Sequence, residues 1–405
     1  MDSRLYWIWL QQVLPYGCGT VGELLDSFGH ARTIYEATPD ALRQAGLAAD
    51  LCRRLGDKSL DTARRILDRA LELGEWMLTP EDALYPLSLR HMPDCPTVLY
   101  ARGVMPDLDT TPSVAVVGTR RPSKEGWREA HALSAGLAAG GAVVVSGGAV
   151  GIDAAVHTGA LDAGGTTIVV MACPLSVNYP ADNATLRERV VANGGLLISE
   201  FPPDQPYKCE FPVRNRLMVG LSQAVCLAET PTRSGARITA RLGREHNRDV
   251  YAMPGALSGH HYDGAHREIQ NGATLVIRAT DILRDLAPLF PGTLDLERAE
   301  ERQKMLEQSA PPVAEKTTRR RRKSAVKKEK PAPPAEVAVT DAVACPDTAT
   351  PTAKQVYAVL TDTLQPVDDL ALGADLPIPA VLAALTELEM YGCAVNSAGQ
   401  QYKRT

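Results

Sequence analysis

No apolar run in the 405-residue chain approaches the roughly 20 residues that a membrane-spanning helix needs. The amino terminus, MDSRLYWIWLQQ, has an acid at position 2 and lacks the basic-then-apolar layout of a secretory signal. A cytoplasmic protein with no membrane contact is expected. Paired cysteines are missing as well. Cys18, Cys52, Cys95, Cys173, Cys209, Cys226, Cys345 and Cys393 form no C-x-x-C unit, which argues against a structural zinc site and a thioredoxin-like motif. Scattered singly, they fit a reducing compartment and small core positions. No internal repeat is present. Aromatic residues are scarce, at 5% of the chain, so there is little material for an extended platform of stacking rings.

What is present is an uneven distribution of charge. The formal net charge of −5 conceals a run at 316–330, KTTRRRRKSAVKKEK, with nine basic residues and one acid. The rest of the chain therefore carries −13. A body of that charge repels polyanions in general, so any nucleic-acid site has to be a local patch.

At about 150 residues per domain, the length implies two to three domains, and the texture changes at three places. Residues 1–78 read as a small helical domain: Leu5, Ile8, Trp9, Gln12 and Val13 follow helix spacing, and Thr38-Pro39-Asp40 has the form of an N-cap with proline at the first helical position. Residues 79–290 alternate short apolar, β-branched runs with helical stretches. The runs are Val114–Val117, Val143–Val145, Thr166–Val170, Leu196–Ile198, Ala224–Leu227, Val250–Met253 and Thr274–Ile277. This pattern predicts an α/β fold: a parallel sheet buried on both faces and flanked by helices. Residues 291–350 read as a flexible basic and Pro-rich linker. Residues 351–405 read as three short helices (Thr352–Leu360, Val367–Leu372, Pro379–Tyr391) and a small hairpin (Cys393–Val395, Gln400–Tyr402), the layout of a winged helix.

In an open α/β sheet, ligands bind outside the carboxyl ends of the strands. Three loops there contain candidate residues. After the first run comes Gly118-Thr119-Arg120, where outward amides, the next helix N-terminus and a guanidinium would suit a phosphate. After the second comes Ser146-Gly147-Gly148-Ala149-Val150-Gly151, a backbone cradle for an anion. It departs from a dinucleotide fingerprint, because Ser146 stands at the first glycine and no acid follows about 20 residues on. The third is Thr232-Arg233-Ser234-Gly235, where Ser234 can cap the following helix and Gly235 allows close ligand approach. Beyond it Arg237, Arg241 and Arg244 share one helical face, which suits a solvated surface and a binding stripe equally. Arg214-Asn215-Arg216, before an apolar helix, suits phosphate binding or a lock between neighbouring loops. Asp153 and His157, four residues apart, suit a local hydrogen bond better than a catalytic pair. His260, His261 and His266 read as a surface loop rather than a metal site. Glu200 and Glu229 follow strands, but no nucleophile accompanies them.

These loops resemble the DprA/Smf family of DNA-processing proteins. The stretches that carry the resemblance are Tyr85-Pro86 with Asp94, Pro96 and Leu99-Tyr100; VAVVGTR (114–120); VSGGAVGIDAAVHTGAL (145–161); NYPADNATL (178–186); GGLLISEFPP (194–203); FPVRNRLMVGLS (211–222); SGARITA (234–240); and YAMPG (251–255). The resemblance implies an extended Rossmann-like fold with a small helical N-terminal domain and a C-terminal winged helix. It implies a homodimer that binds single-stranded DNA and loads the RecA recombinase onto it in natural transformation, with no enzymatic activity and no cofactor. It places the DNA contacts at Gly118, Thr119, Arg120, Ser146, Gly147, Arg214, Asn215, Arg216, Ser234 and Gly235, and the glycine cradle and the arginine face add Gly148, Gly151 and Arg237 as further expected contacts. There are departures. Arg237 stands where the family usually has an apolar residue, and Ala181, Asp182 and Asn183 stand where it usually has a basic one. The competing reading is a nucleotide phosphoribohydrolase of the LOG type, or a protein that binds a small nucleotide. The Pro-Gly-Gly-x-Gly-Thr signature of those enzymes is absent from Thr230–Gly235. A third reading is an adaptor whose winged helix meets proteins, since the helix at 379–391 has no Lys or Arg.

Overall fold

In the computed structural model, which describes residues 2–203, 211–309, 349–363, 365–390, 393–397 and 401–404, the strand–helix alternation builds one nine-stranded sheet. Its strands are β1 (Trp76–Leu78), β2 (Leu99–Gly103), β3 (Ser113–Val117), β4 (Val143–Ser146), β5 (Thr167–Val170), β6 (Leu196–Ser199), β7 (Ala224–Leu227), β8 (Asp249–Ala252) and β9 (Thr274–Leu275). The spatial order is β1-β2-β6-β5-β4-β3-β7-β8-β9. Neighbours from β6 through β9 are parallel, while β2 runs antiparallel to β6 and β1 antiparallel to β2. Strands β3, β4, β5 and β7 are buried along their whole length. That is why their sequences are continuously apolar rather than alternating: helices cover both faces.

The antiparallel edge differs from the purely parallel sheet expected. β1 and β2 contain Trp76, Arg102 and Gly103 and show no β-branched run, so their extended state comes from pairing with β6 rather than from local pattern. At the opposite edge only Thr274–Leu275 pairs, and Ile277 is 61% exposed.

The order of the strands creates the site. The chain lays β4, β5 and β6 successively to one side of β3, then crosses over and lays β7, β8 and β9 on the other. The loops leaving the carboxyl ends of β3 and β7 diverge, and a crevice opens at this topological switch point.

The N-terminal helices belong to the same compact unit, which spans Met1–Ala314. One apolar cluster runs without a break from Leu5 to Ala299. Gln11, on the helix Arg4–Val13, ties the two parts together with buried hydrogen bonds. Its Nε2 donates to the carbonyls of Val98 (3.1 Å) and Glu200 (3.0 Å), and its Oε1 accepts from the Tyr100 hydroxyl (2.9 Å). Part of the stretch expected as linker is also ordered: Leu296–Ser309 is a helix packed on the helix Lys124–Ala139. Its exposed face is densely charged, which reads as solvated chain in the sequence. Ala299 and Gln303 make the contact. Gln303 accepts from the Ala279 amide (2.8 Å) and donates to the Ile277 carbonyl (3.1 Å). The remainder of the expected linker, including the basic run at 316–330, lies outside the described residues.

The second unit holds helices Pro351–Val359, Val367–Ala374 and Ile378–Met390, with strands β10 (Gln365–Pro366), β11 (Ala394–Ser397) and β12 (Gln401–Arg404) in the order β10-β12-β11. Val356, Leu370, Val381, Leu385, Leu388 and Cys393 form its core. This is a winged helix, with one short strand, β10, that the sequence pattern does not announce. The hairpin turn at 398–400 lies outside the described residues.

Gln11→Leu should keep the volume but strand three buried polar groups. A loss of about 2 kcal/mol is expected, read as a lower urea midpoint at unchanged slope.

Candidate nucleic-acid interface

A cleft of about 440 Å³ occupies the switch point, lined by residues of the loops after β3 and β7 and by the helix Phe211–Gly220. Of the sequence-derived candidates, it brings together Gly118, Thr119, Arg120, Arg214, Asn215, Ser234 and Gly235, and adds Arg121, Asp153, Phe211 and Arg233.

The loop after β3 is anchored from below. The Thr119 amide donates to the Glu229 carbonyl (2.8 Å), and the Thr119 carbonyl accepts from the Ile152 amide (3.0 Å). The Thr119 amide is therefore not an outward donor, as the sequence suggested. Arg120 is the exposed group of this turn. Its guanidinium lies 4.4 Å over the Phe211 ring, an arrangement that holds it by cation–π attraction. Gly151 has φ of +88°, and a Cβ there would lie 2.6 Å from the Arg120 carbonyl carbon. Its contribution is thus to let the 119–120 turn come close, not to touch a ligand.

The loop after β4 is likewise shaped by the interior. Ser146 is fully buried and donates to the Val116 carbonyl (2.7 Å). Gly147 leaves room for the Arg214 guanidinium, which a Cβ would strike. The carbonyls of Gly148 and Ala149 accept from Asn183 Nδ2 (3.0 and 2.9 Å). Only Ala149 and Asp153 of this segment reach the cleft, and Asp153 Oδ2 accepts from the Ala149 amide (3.2 Å). Ser146, Gly147, Gly148 and Gly151, expected as contacts, do not line the cleft; what the structure shows of them is support of the neighbouring loops.

Arg214 and Asn215 line the cleft while remaining buried, with Arg214 Nη1 donating to the Val170 carbonyl (2.7 Å). Arg216 faces the other way. It is 4% exposed, its Nη2 meets both Glu200 carboxylate oxygens at 2.6 Å, and its Nη1 donates to the Asp94 carbonyl (2.8 Å). A guanidinium so enclosed has no path to a phosphate, so of the two roles open to this motif Arg216 takes the lock. Arg237 lies outside the cleft, bonded to Glu268 (2.8 Å). Ser234 Oγ accepts from the Ala236 amide at 3.3 Å, but the N-cap position of the helix Ala236–Glu245 is Gly235 rather than Ser234.

The strand-end carboxylates are also structural. Glu229 is fully buried and accepts from the Ser123 amide (2.9 Å) and hydroxyl (2.5 Å) and from His261 (3.1 Å). Burial raises the Glu200 carboxyl, and Arg216 opposes the shift. Burial raises the Asp153 carboxyl too, against the pull of Arg214. His157 does not bond Asp153. Its Nδ1 pairs with Thr167 Oγ1 (2.8 Å), and burial, helped by Arg214, pushes it down to about 3. His260 pairs with Asp263 (2.7 Å), and no group that could hold a metal occurs among the described residues.

Comparison with known proteins then decides the family. The model of DNA recombination-mediator protein A matches residues 76–287, and that of the DprA winged helix domain matches residues 329–400. Protein Smf of Synechocystis is 30% identical over 409 residues, covering 100% of this chain and 99% of its own length. The chain belongs to the DprA/Smf family. Within it, DNA processing protein DprA of Streptococcus pneumoniae is 42% identical over 205 residues, covering 50% of this chain and 72% of its own. The X-ray structure of DprA from that organism superposes with a TM-score of 0.59 at 32% identity, covering 70% of this chain and 98% of that one. The matching family model is that of a mediator of DNA recombination, and the strand-end carboxylates Glu200 and Glu229 are engaged in holding loops.

Two outcomes follow from the buried groups. Arg216→Ala should cost about 3–5 kcal/mol by leaving the Glu200 carboxylate unpaired, whereas Arg216→Met combined with Glu200→Leu should recover most of that in chemical denaturation. His157 is neutral in the fold, while in the unfolded chain it takes up a proton below about pH 6.5. Its stabilising share is present above that pH and lost as pH falls toward 3. His157→Gln should flatten the fall of stability between about pH 6.5 and 4.

Proposed function

We propose that the cleft between the ends of β3 and β7 holds the backbone of single-stranded DNA, and that the chain, as a homodimer, delivers this strand to the RecA recombinase. The observation that carries the reading is Arg120: exposed, held at 4.4 Å over Phe211, and bordering a cleft also lined by Arg121 and Arg233. A guanidinium offers a planar fork of donors to a phosphate. Stacking on the ring limits the rotamer freedom that binding would otherwise remove.

With the Thr119 amide engaged by Glu229, arginine side chains take a larger share of the contact than main-chain nitrogens. Phosphate contacts carry no sequence information, so little base preference is expected. Phe211 provides one ring face near the site, too few for stacking to dominate. A dimer would offer two clefts to one strand and raise avidity through local concentration. Membership in a recombination-mediator family supports delivery to a recombinase as the purpose of that grip.

Arg120→Ala should weaken binding to oligothymidylate and to mixed sequences alike. It should also lower the slope of log K against log salt by about 0.7, one phosphate contact on a single strand. A filter-binding series that left the slope unchanged would remove Arg120 from the site.

A further inference from the structure

Beside the cleft a second groove, of about 340 Å³, runs along the exposed face of the helix Ala236–Glu245. Arg233 and Ser234 line both, so the two are continuous. The inward face of this helix, Ala236, Thr239, Ala240 and Gly243, is buried against β7 and β8. That fixes its rotation and turns Arg237, Arg241 and Arg244 to one side.

These arginines are arranged, not merely exposed. Glu268 is 2% exposed and serves two of them: its Oε1 accepts from Arg237 Nε (2.8 Å) and its Oε2 from Arg244 Nη2 (2.6 Å). Burial alone would raise this carboxyl, but the hydrogen bonds from Arg244 and Arg237 outweigh it and hold it below its ordinary value. One carboxylate thus orients two guanidiniums. Arg241 lies between them, 66% exposed and 3.6 Å from Glu245. Four arginines, counting Arg233, face two carboxylates, leaving a local excess of positive charge on an acidic body. No aromatic side chain lines the groove, so it suits a sugar–phosphate backbone rather than bases. From Arg237 to Arg244 the helix rises about 10 Å, against roughly 3.4 Å per nucleotide in a stacked strand, which leaves room for more than one phosphate.

We infer that this groove is a second contact track for the same single strand, taking the phosphates of nucleotides that leave the cleft past Arg233. The inference rests on the reading of the cleft as the DNA site and extends it.

Arg241 is the residue to vary, because it lines the groove alone and its removal leaves Glu268 with both partners. Full-length wild type, Arg241→Ala and Arg241→Glu would be titrated by fluorescence anisotropy against oligothymidylates from about 4 to about 20 nucleotides. For the longest oligomer, Arg241→Ala should lower the salt slope by about 0.7 and the affinity by about threefold at moderate salt, and Arg241→Glu should lower the affinity further. The shortest oligomer that wild type binds should be unaffected. Equal losses at every length, or no loss at any length with wild type still binding, would overturn the groove and leave the cleft standing. Failure of wild type to bind any length would overturn both.

Discussion

Glu229 is the residue on which the geometry of the cleft depends. It sits at the carboxyl end of β7, beside the strand whose loop it controls, and it acts through both ends. Its carbonyl accepts the Thr119 amide, and its carboxylate accepts the amide and hydroxyl of Ser123. Ser123 in turn caps the helix Lys124–Ala139 by accepting from the Gly126 amide (2.9 Å). The turn at 119 and the start of the next helix therefore refer to one buried residue. Arg120 stands on this loop. Its position over Phe211 rests on the cation–π contact together with the anchoring of the loop that carries it.

The two buried arginines of the helix Phe211–Gly220 divide by the direction in which each side chain turns. Arg214 and Arg216 are two residues apart on one helix, yet one reaches the cleft and the other closes an interior ion pair with Glu200. A buried pair of this kind contributes little net stability compared with an apolar substitute, but it is costly to break. It also lies where the Glu200 carbonyl receives Gln11 from the N-terminal helix. The same locality thus joins the helical segment to the sheet and fixes the base of the helix that presents Phe211, Arg214 and Asn215.

Much of the architecture was legible in the sequence, because the parallel strands β3 to β8 are buried on both faces and their apolar runs have no other explanation. The strands β1, β2 and β10 were not legible: β1 and β10 are only three and two residues long, and β2, though five, contains Arg102 and Gly103 in place of a β-branched run. The helix Leu296–Ser309 was hidden by its charge: Ala299 and Gln303 face the body, Glu300 and Arg302 bond Arg278 and the Asp162 carbonyl, and none of these forms an apolar pattern. For the cleft, motif and spacing picked out loops that the structure brings together, but grouped with them residues that do not line it. Ser146, Gly147, Gly148, Gly151 and Arg216 belong to the loops' support, a distinction that depends on which way a side chain turns. The positioning residues Glu229, Ser123 and Asn183 carried a weak signal at most, being a carboxylate, a hydroxyl and an amide at strand and helix ends, where caps are common.

The net charge of the chain now has a spatial meaning. An acidic body discourages polyanions everywhere except where arginines are concentrated enough to prevail. Arg120, Arg121 and Arg233 meet that condition at one edge of the sheet, and Arg237, Arg241 and Arg244 continue it along the next helix. Concentrating the attraction at a single edge gives the strand one place to lie, whereas the same number of arginines dispersed over the surface would give many weak and mutually competing ones. For a protein whose family mediates recombination, a confined track has a further consequence. On the proposed reading the grip is electrostatic and largely free of base contacts, and such a grip is released by exchange of phosphate contacts one at a time. A handover of the strand then requires no bond to be broken and no large part of the fold to move.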